Sequence, residues 1–306
     1  MLRMAKPLTG IVWMLVGVAA FAFMHAIIKS LTGVYPPMQL AALRGWFALP
    51  IVLAWALADS ERTRLLHVRW RLQVARGLST LLAGTGAIVA LRYLPLADAY
   101  TISFSAPLIV ATLSSPALGE GTGTRRWIAL ATGFIGVLIV LRPNGDPMLS
   151  LGGVAMVASA LGYAGGVLGA RALARTDTAL AIVLWTTVVI CIGAGLLAMP
   201  SWVPIHAAHV PRLMLIGALG VAGQFAVVAA LRLASAPVIV PFEYTALIWA
   251  VTFDWIFWHH KPTSAAMLGG ALIVAAGGYL IWSEHRSWFD SRITVSRTRT
   301  KLLGLG

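Results

Sequence analysis

Five ionisable side chains interrupt stretches of sequence that are otherwise apolar: His25, Lys29, Arg44, Glu243 and Asp254. Asp254 follows Glu243 by eleven residues, and at about 100° per residue a helix would return it to nearly the same face, about 16 Å along the axis. A carboxyl group so placed can hold an ammonium or guanidinium group, or carry a proton whose release is tied to another event. It can equally serve as a fixed ion pair or hydrogen bond between helices. His25 and Lys29 are four residues apart and share a face, while Arg44 sits about two turns into the next apolar run from the same side. These cations could oppose Asp254 as a gate that breaks and re-forms, or bind an anionic group; Lys29 and Arg44 could also snorkel to lipid headgroups. Tyr100, Ser103, Tyr163, Trp185, Gln224, Tyr244 and Trp249 add uncharged polar or aromatic groups. They suit either a pocket for a flat or amphipathic solute or plain interhelical packing.

Several chemistries lack their residues. The motifs HExxH and GxSxG are missing, which argues against an enzyme, and so is GxxxxGK[ST], which argues against direct ATP drive. Isolated ionisable positions also fit a channel poorly, because a channel favours a continuous polar stripe. Cys191 is the only cysteine, so neither an intramolecular disulfide nor a CxxC site can form. His206 with His209, and His259 with His260, fall in two loops without an acidic partner nearby. They read as solvated histidines, and no metal or cofactor is expected.

The elements that must position these residues follow from composition. Only 11% of the 306 residues are charged against 59% hydrophobic, whereas a soluble domain carries roughly a quarter charged residues. The chain therefore belongs in a lipid bilayer. Its formal +13 lies between apolar runs and reads as a topology signal, with no nucleic-acid partner implied. Ten runs are long enough to cross, at about 8–28, 38–58, 72–92, 97–118, 126–142, 149–171, 178–199, 212–232, 238–258 and 264–283. Their length and all-round apolarity predict an all-α integral membrane protein rather than a barrel. Placing the N-terminus in the cytoplasm puts 17 of the 23 Lys and Arg residues inside, as the positive-inside rule requires. Both termini are then cytoplasmic, and the basic segment 286–306 is a peripheral tail attracted to anionic lipid.

Ala90-Leu91-Arg92 near the end of the third run recurs as Ala230-Leu231-Arg232 near the end of the eighth, and Gly133 with Gly136 has counterparts in Gly269 and Gly270. These matches divide the ten runs into two halves of five, residues 1–146 and 147–285. An odd-numbered half, duplicated, enters the membrane from the opposite side, and inverted halves support alternating access in many secondary transporters. The Gly162, Gly165, Gly166 and Gly169 series in the sixth run predicts close helix contact.

The order of several short motifs resembles the EamA-type members of the drug/metabolite transporter superfamily. They are Lys29, Pro36-Pro37 with Ala42-Leu43-Arg44-Gly45, Ser105-Ala106-Pro107, Glu120, and Gly133 with Gly136; Pro241-Phe242-Glu243-Tyr244, Gly269 and Gly277 follow in the second half. Trp258-His259-His260-Lys261 departs from the Gly-Glu pair many relatives have there. The resemblance implies a ten-helix, basket-like secondary transporter in the bacterial inner membrane, acting as a monomer or weak homodimer on a small polar or amphipathic metabolite. Amino-acid-like, amine, nucleoside-like and flavin-like solutes all remain open, as does direction. Among the residues, Glu243 is the candidate for substrate or proton coupling, with Lys29, Arg44 and Asp254 as the gate.

Overall fold

The computed structural model describes residues 2–58, 65–106, 109, 128, 131–132, 135–136, 139, 151–173, 176–233, 242–243, 245–261, 264, 267–272, 274–275 and 278–279. Among these, eight helices are delimited: α1 (Leu2–Leu31), α2 (Pro37–Ala58), α3 (Trp70–Tyr93), α4 (Leu96–Ser103), α5 (Leu151–Leu173), α6 (Ala179–Ala198), α7 (Val210–Leu233) and α8 (Thr245–Trp258). No strand occurs among the described residues. Six of the helices are long and apolar enough to cross a bilayer, and α8 is a shorter apolar helix. Most of the expected fifth run, nearly half of the tenth and the basic tail lie outside the described residues.

Local sequence explains where helices begin. Pro37 occupies the first position of α2 and Pro211 lies in the first turn of α7, where a missing N–H costs nothing. Thr178 caps α6 by accepting the Ala181 N–H at 3.1 Å. The apolar side chains then divide between two surroundings. Leu8, Leu57 and Ile248 are each about two-thirds exposed or more, which a bilayer accommodates and water does not. Met14, Met24, Ile28, Leu43, Ile88 and Ile102 form the buried interior.

Helix pairing is close because small residues line the contacts. A Cβ on Gly86 of α3 would lie 2.6 Å from the Ala155 carbonyl oxygen of α5, and one on Gly162 of α5 would lie 2.7 Å from the Ser79 carbonyl oxygen of α3. The α5 glycine series therefore does bring backbones together, and α3 on α5 is the most extensive contact, followed by α1 on α7. Next come α2 on α6, α2 on α7 and α3 on α6, then α4 on α8, α1 on α8 and α4 on α5. Exchanging α1 with α5, α2 with α6, α3 with α7 and α4 with α8 maps this set of contacts between the two groups of four onto itself.

Helix direction is fixed by hydrogen bonds at the ends. Gln39, at the start of α2, donates to the Val203 carbonyl just beyond α6 at 2.7 Å and accepts the Val203 N–H at 3.0 Å. Trp185, early in α6, donates to the Leu65 carbonyl beyond α2 at 2.8 Å. The two helices are thus antiparallel. The start of α4 likewise meets the last turns of α8, where the Ala97 N–H donates to Asp254.

Two helices differ from the expected runs. In the ninth run, whose residues 238–241 and 244 lie outside the described residues, Phe242–Glu243 form a 3-10 turn and α8 spans Thr245–Trp258. Glu243 therefore stands in a 3-10 turn and not on the regular helix that carries Asp254, and Pro241, which has no N–H to donate, precedes that turn in sequence. The fourth run ends its regular helix at Ser103, with Ser105 N–H donating to Ile102 at 3.1 Å in a tighter turn just before Pro107.

Candidate functional site

The last turn of α1 delivers Lys29 to a junction of three helices. Its Nζ lies 3.1 Å from Asp254 Oδ1 of α8, donates to the Leu94 carbonyl at 3.2 Å, and sits 4.8 Å above the Trp258 ring. The other carboxylate oxygen, Oδ2, accepts the Ala97 N–H at 2.9 Å. Ala97 is in the first turn of α4, where N–H groups lack helical partners and favour negative charge. One carboxylate from α8 thus caps α4 and pairs with α1. The Lys29 and Asp254 side chains are 9% and 2% exposed, so Lys29 does not snorkel. Such a pair is costly to form out of water and costly to break one-sidedly.

One turn deeper on α1, His25 Nδ1 is 2.8 Å from the Tyr100 hydroxyl of α4. Arg44 comes from α2 and exerts its charge on His25. Its guanidinium passes between two glycines: a Cβ at Gly84 of α3 would lie 3.4 Å from Nη1, and one at Gly220 of α7 would lie 3.8 Å from Nε. Arg44 faces a crevice lined by Ala41, Thr80, Leu81, Gly84, Thr85 and Ile190, with room for about one water molecule. Among the described residues it makes no hydrogen bond and no ion pair. Glu243 accepts a hydrogen bond from the Tyr163 side chain of α5. Gln224 lies one turn beyond Gly220 on α7. His25, Arg44, Tyr100, Ser103, Gln224 and Glu243 are all half-buried rather than sealed.

The structure therefore joins Lys29 with Asp254, His25 with Tyr100, and Glu243 with Tyr163. It does not join Arg44 with Asp254. Trp185 lies apart, bonded to Leu65 and packed edge-on to Trp70 at 4.3 Å between ring centroids. Trp249, 39% exposed, stacks on Phe253. Tyr244 lies outside the described residues.

Other polar contacts carry no motif. Tyr35 bonds His209 at 2.9 Å and accepts the His206 N–H at 3.1 Å. At the other end of the bundle, Gln73 donates to Asp177 at 2.8 Å, and Arg76 donates to the Ile182 carbonyl at 3.3 Å and to the Thr186 hydroxyl. Arg76, counted above among the topology charges, is folded into the protein instead. The only sequence signal for Gln39 and Gln73 is an uncharged amide just inside an apolar run.

Comparison with known proteins adds the following. Residues 8–142 and 150–282 each match the EamA-like transporter family. A riboflavin transporter of Vibrio cholerae serotype O1 is 28% identical over 292 residues, covering 92% of this chain and 96% of that protein. An S-adenosylmethionine uptake transporter of Rickettsia conorii is 22% identical over 283 residues, covering 92% and 95%. The pseudopaline exporter CntI of Pseudomonas aeruginosa is 25% identical over 261 residues, covering 84% and 90%. One crystal structure superposes with a TM-score of 0.63 at 20% identity, covering 90% of this chain and 97% of that one, which is a likeness of fold.

Proposed function

Because the chain belongs to the EamA-like transporter family, whose relatives here are transporters and not enzymes, we propose that it moves a small polar or amphipathic organic metabolite by alternating access. The observation that carries this reading is the Lys29–Asp254–Ala97 junction. It ties α1, α4 and α8 together through an ion pair held out of water, and ionisable residues inside membrane spans mark functional sites by default. Opening the pair would free three helices at once and admit solute from its end of the bundle.

Alternation needs a counterpart at the other end, and two inverted halves would provide one. The contacts between α1–α4 and α5–α8 support a two-fold relation of the halves, since they survive exchange, and helix direction bears on whether that relation inverts them. The antiparallel course of α2 and α6, which occupy equivalent places, supports inversion. On this reading ten spans form two repeats, 1–146 and 147–285, in the inner membrane with both termini cytoplasmic and the Lys29 end outward. The end of the regular helix at Ser103 and the 3-10 turn at Phe242–Glu243 support a site near the midplane, where discontinuous helices expose backbone to solute.

Glu243, bonded by Tyr163, is the proposed coupling group: a carboxyl there can bind a proton in one state and release it in the other. The test is flux in proteoliposomes of labelled amino acids, amines, nucleosides and flavins, with and without a pH gradient. Glu243→Gln should abolish flux or make it indifferent to the gradient. Full flux with intact pH dependence in that variant would remove Glu243 from the mechanism, and flux of no solute by the wild type would remove the transport reading.

A further inference from the structure

Arg44 is the charge that neither gate nor coupling uses. Asp254 is already held by Lys29 and the Ala97 N–H, and Glu243 is bonded from α5 by Tyr163. Snorkelling is closed to Arg44, because Gly84 of α3, Gly220 of α7 and Ile190 of α6 surround its side chain. An unpaired cation at membrane depth is costly, and a guanidinium offers five fixed N–H donors that match a carboxylate bidentately. Space beside it exists: the crevice in front of it has room for about one water molecule, and Gly84 on its wall presents bare backbone where a Cβ would stand 3.4 Å from Nη1. The Thr80 and Thr85 hydroxyls on its wall spend their protons on the Arg76 and Leu81 carbonyls.

We propose that Arg44 is the seat of an anionic group on the transported solute, so that the cargo is an organic acid or zwitterion and not a neutral or purely cationic molecule. This rests on the transport reading for the word cargo, but the anion seat is a binding claim that can be tested by itself.

The test uses the purified full chain in detergent, with thermal unfolding followed by tryptophan fluorescence. The probes are matched acids and amides: acetate with acetamide, phenylacetate with phenylacetamide, and leucine with leucinamide. At saturating concentration at least one acid should raise Tm by a few degrees while its amide does not. Arg44→Gln should erase that shift and Arg44→Lys should keep part of it. Unliganded Arg44→Gln should melt no lower than wild type, since no partner among the described residues is lost. Equal shifts from acids and amides, no shift from any acid, or a shift that survives Arg44→Gln would overturn the proposal. A large fall in unliganded Tm in Arg44→Gln would do the same by revealing a structural partner. Flux of neutral solutes alone, unaffected by Arg44→Gln, sinks the anion seat and leaves transport standing. Arg44-dependent acid binding with no flux of any solute sinks transport and leaves the seat.

Discussion

At the scale of single residues, the Lys29–Asp254 pair separates stability from function most clearly. Each partner satisfies the other almost completely out of water, so removing one leaves a buried charge that costs about 3 to 5 kcal/mol. Lys29→Met or Asp254→Leu alone should lower Tm markedly. The double variant should recover most of that loss, because an apolar pair of similar volume replaces the ions without stranding either one. Its flux should nevertheless differ from wild type, because a greasy contact does not trade partners with water as an ion pair does. Unfolding curves of the three variants beside their proteoliposome flux check both statements; a double variant as unstable as the singles would mean that Ala97 and Leu94 need those ions too.

At the scale of elements, backbone proximity is what holds the helices, since lipid supplies little hydrophobic drive between them. Gly86→Leu forces atoms into the Ala155 carbonyl, 2.6 Å from where a Cβ would begin. It should part α3 from α5 at a cost of about 1 to 3 kcal/mol or more. Gly33→Ala, with nothing within 4 Å of its Cβ, should change stability by less than about 0.5 kcal/mol. Thermal denaturation of the two variants decides this; equal losses would mean that the α3–α5 contact is not as close as described. The glycine series in α5 was legible as a contact surface, because small residues at i and i+4 have few other uses in a membrane helix. The 3-10 turn at Phe242–Glu243 was not, because a span of uninterrupted apolarity looks the same whether or not its backbone winds regularly.

Over the whole molecule, the hydrogen bonds divide helices into those pinned at both ends and those held at one. The α2–α6 pair is bonded through Gln39 with Val203 and through Trp185 with Leu65, and α3 adds Gln73 with Asp177. If the chain works by alternating access as proposed, a pair fixed at both ends stays closed and the motion falls to α4 and α8. In a chain with Cys191 replaced, joining Lys29→Cys to Asp254→Cys with a short bifunctional thiol cross-linker should stop flux relative to the same variant left unlinked, since the contact is made by side-chain tips too far from the backbone for a direct disulfide. The same cross-link between Gln73→Cys and Asp177→Cys should leave flux unchanged. Flux halted by the second cross-link alone would put the moving boundary between α3 and α6 instead.

The amino-acid sequence by itself determined the bilayer as solvent and the helical class, because apolar runs of that length have no other way to satisfy their backbone. It also singled out His25, Lys29, Arg44, Glu243 and Asp254, because ions are rare enough in such runs to stand out one by one. What only the tertiary structure decided was how they are shared: Lys29 and not Arg44 takes Asp254, Tyr163 takes Glu243, and Tyr100 takes His25. Partners 75 to 225 residues apart leave no trace in local spacing. Their meeting depends on which faces the glycine contacts turn inward, and that is a property of the packed bundle.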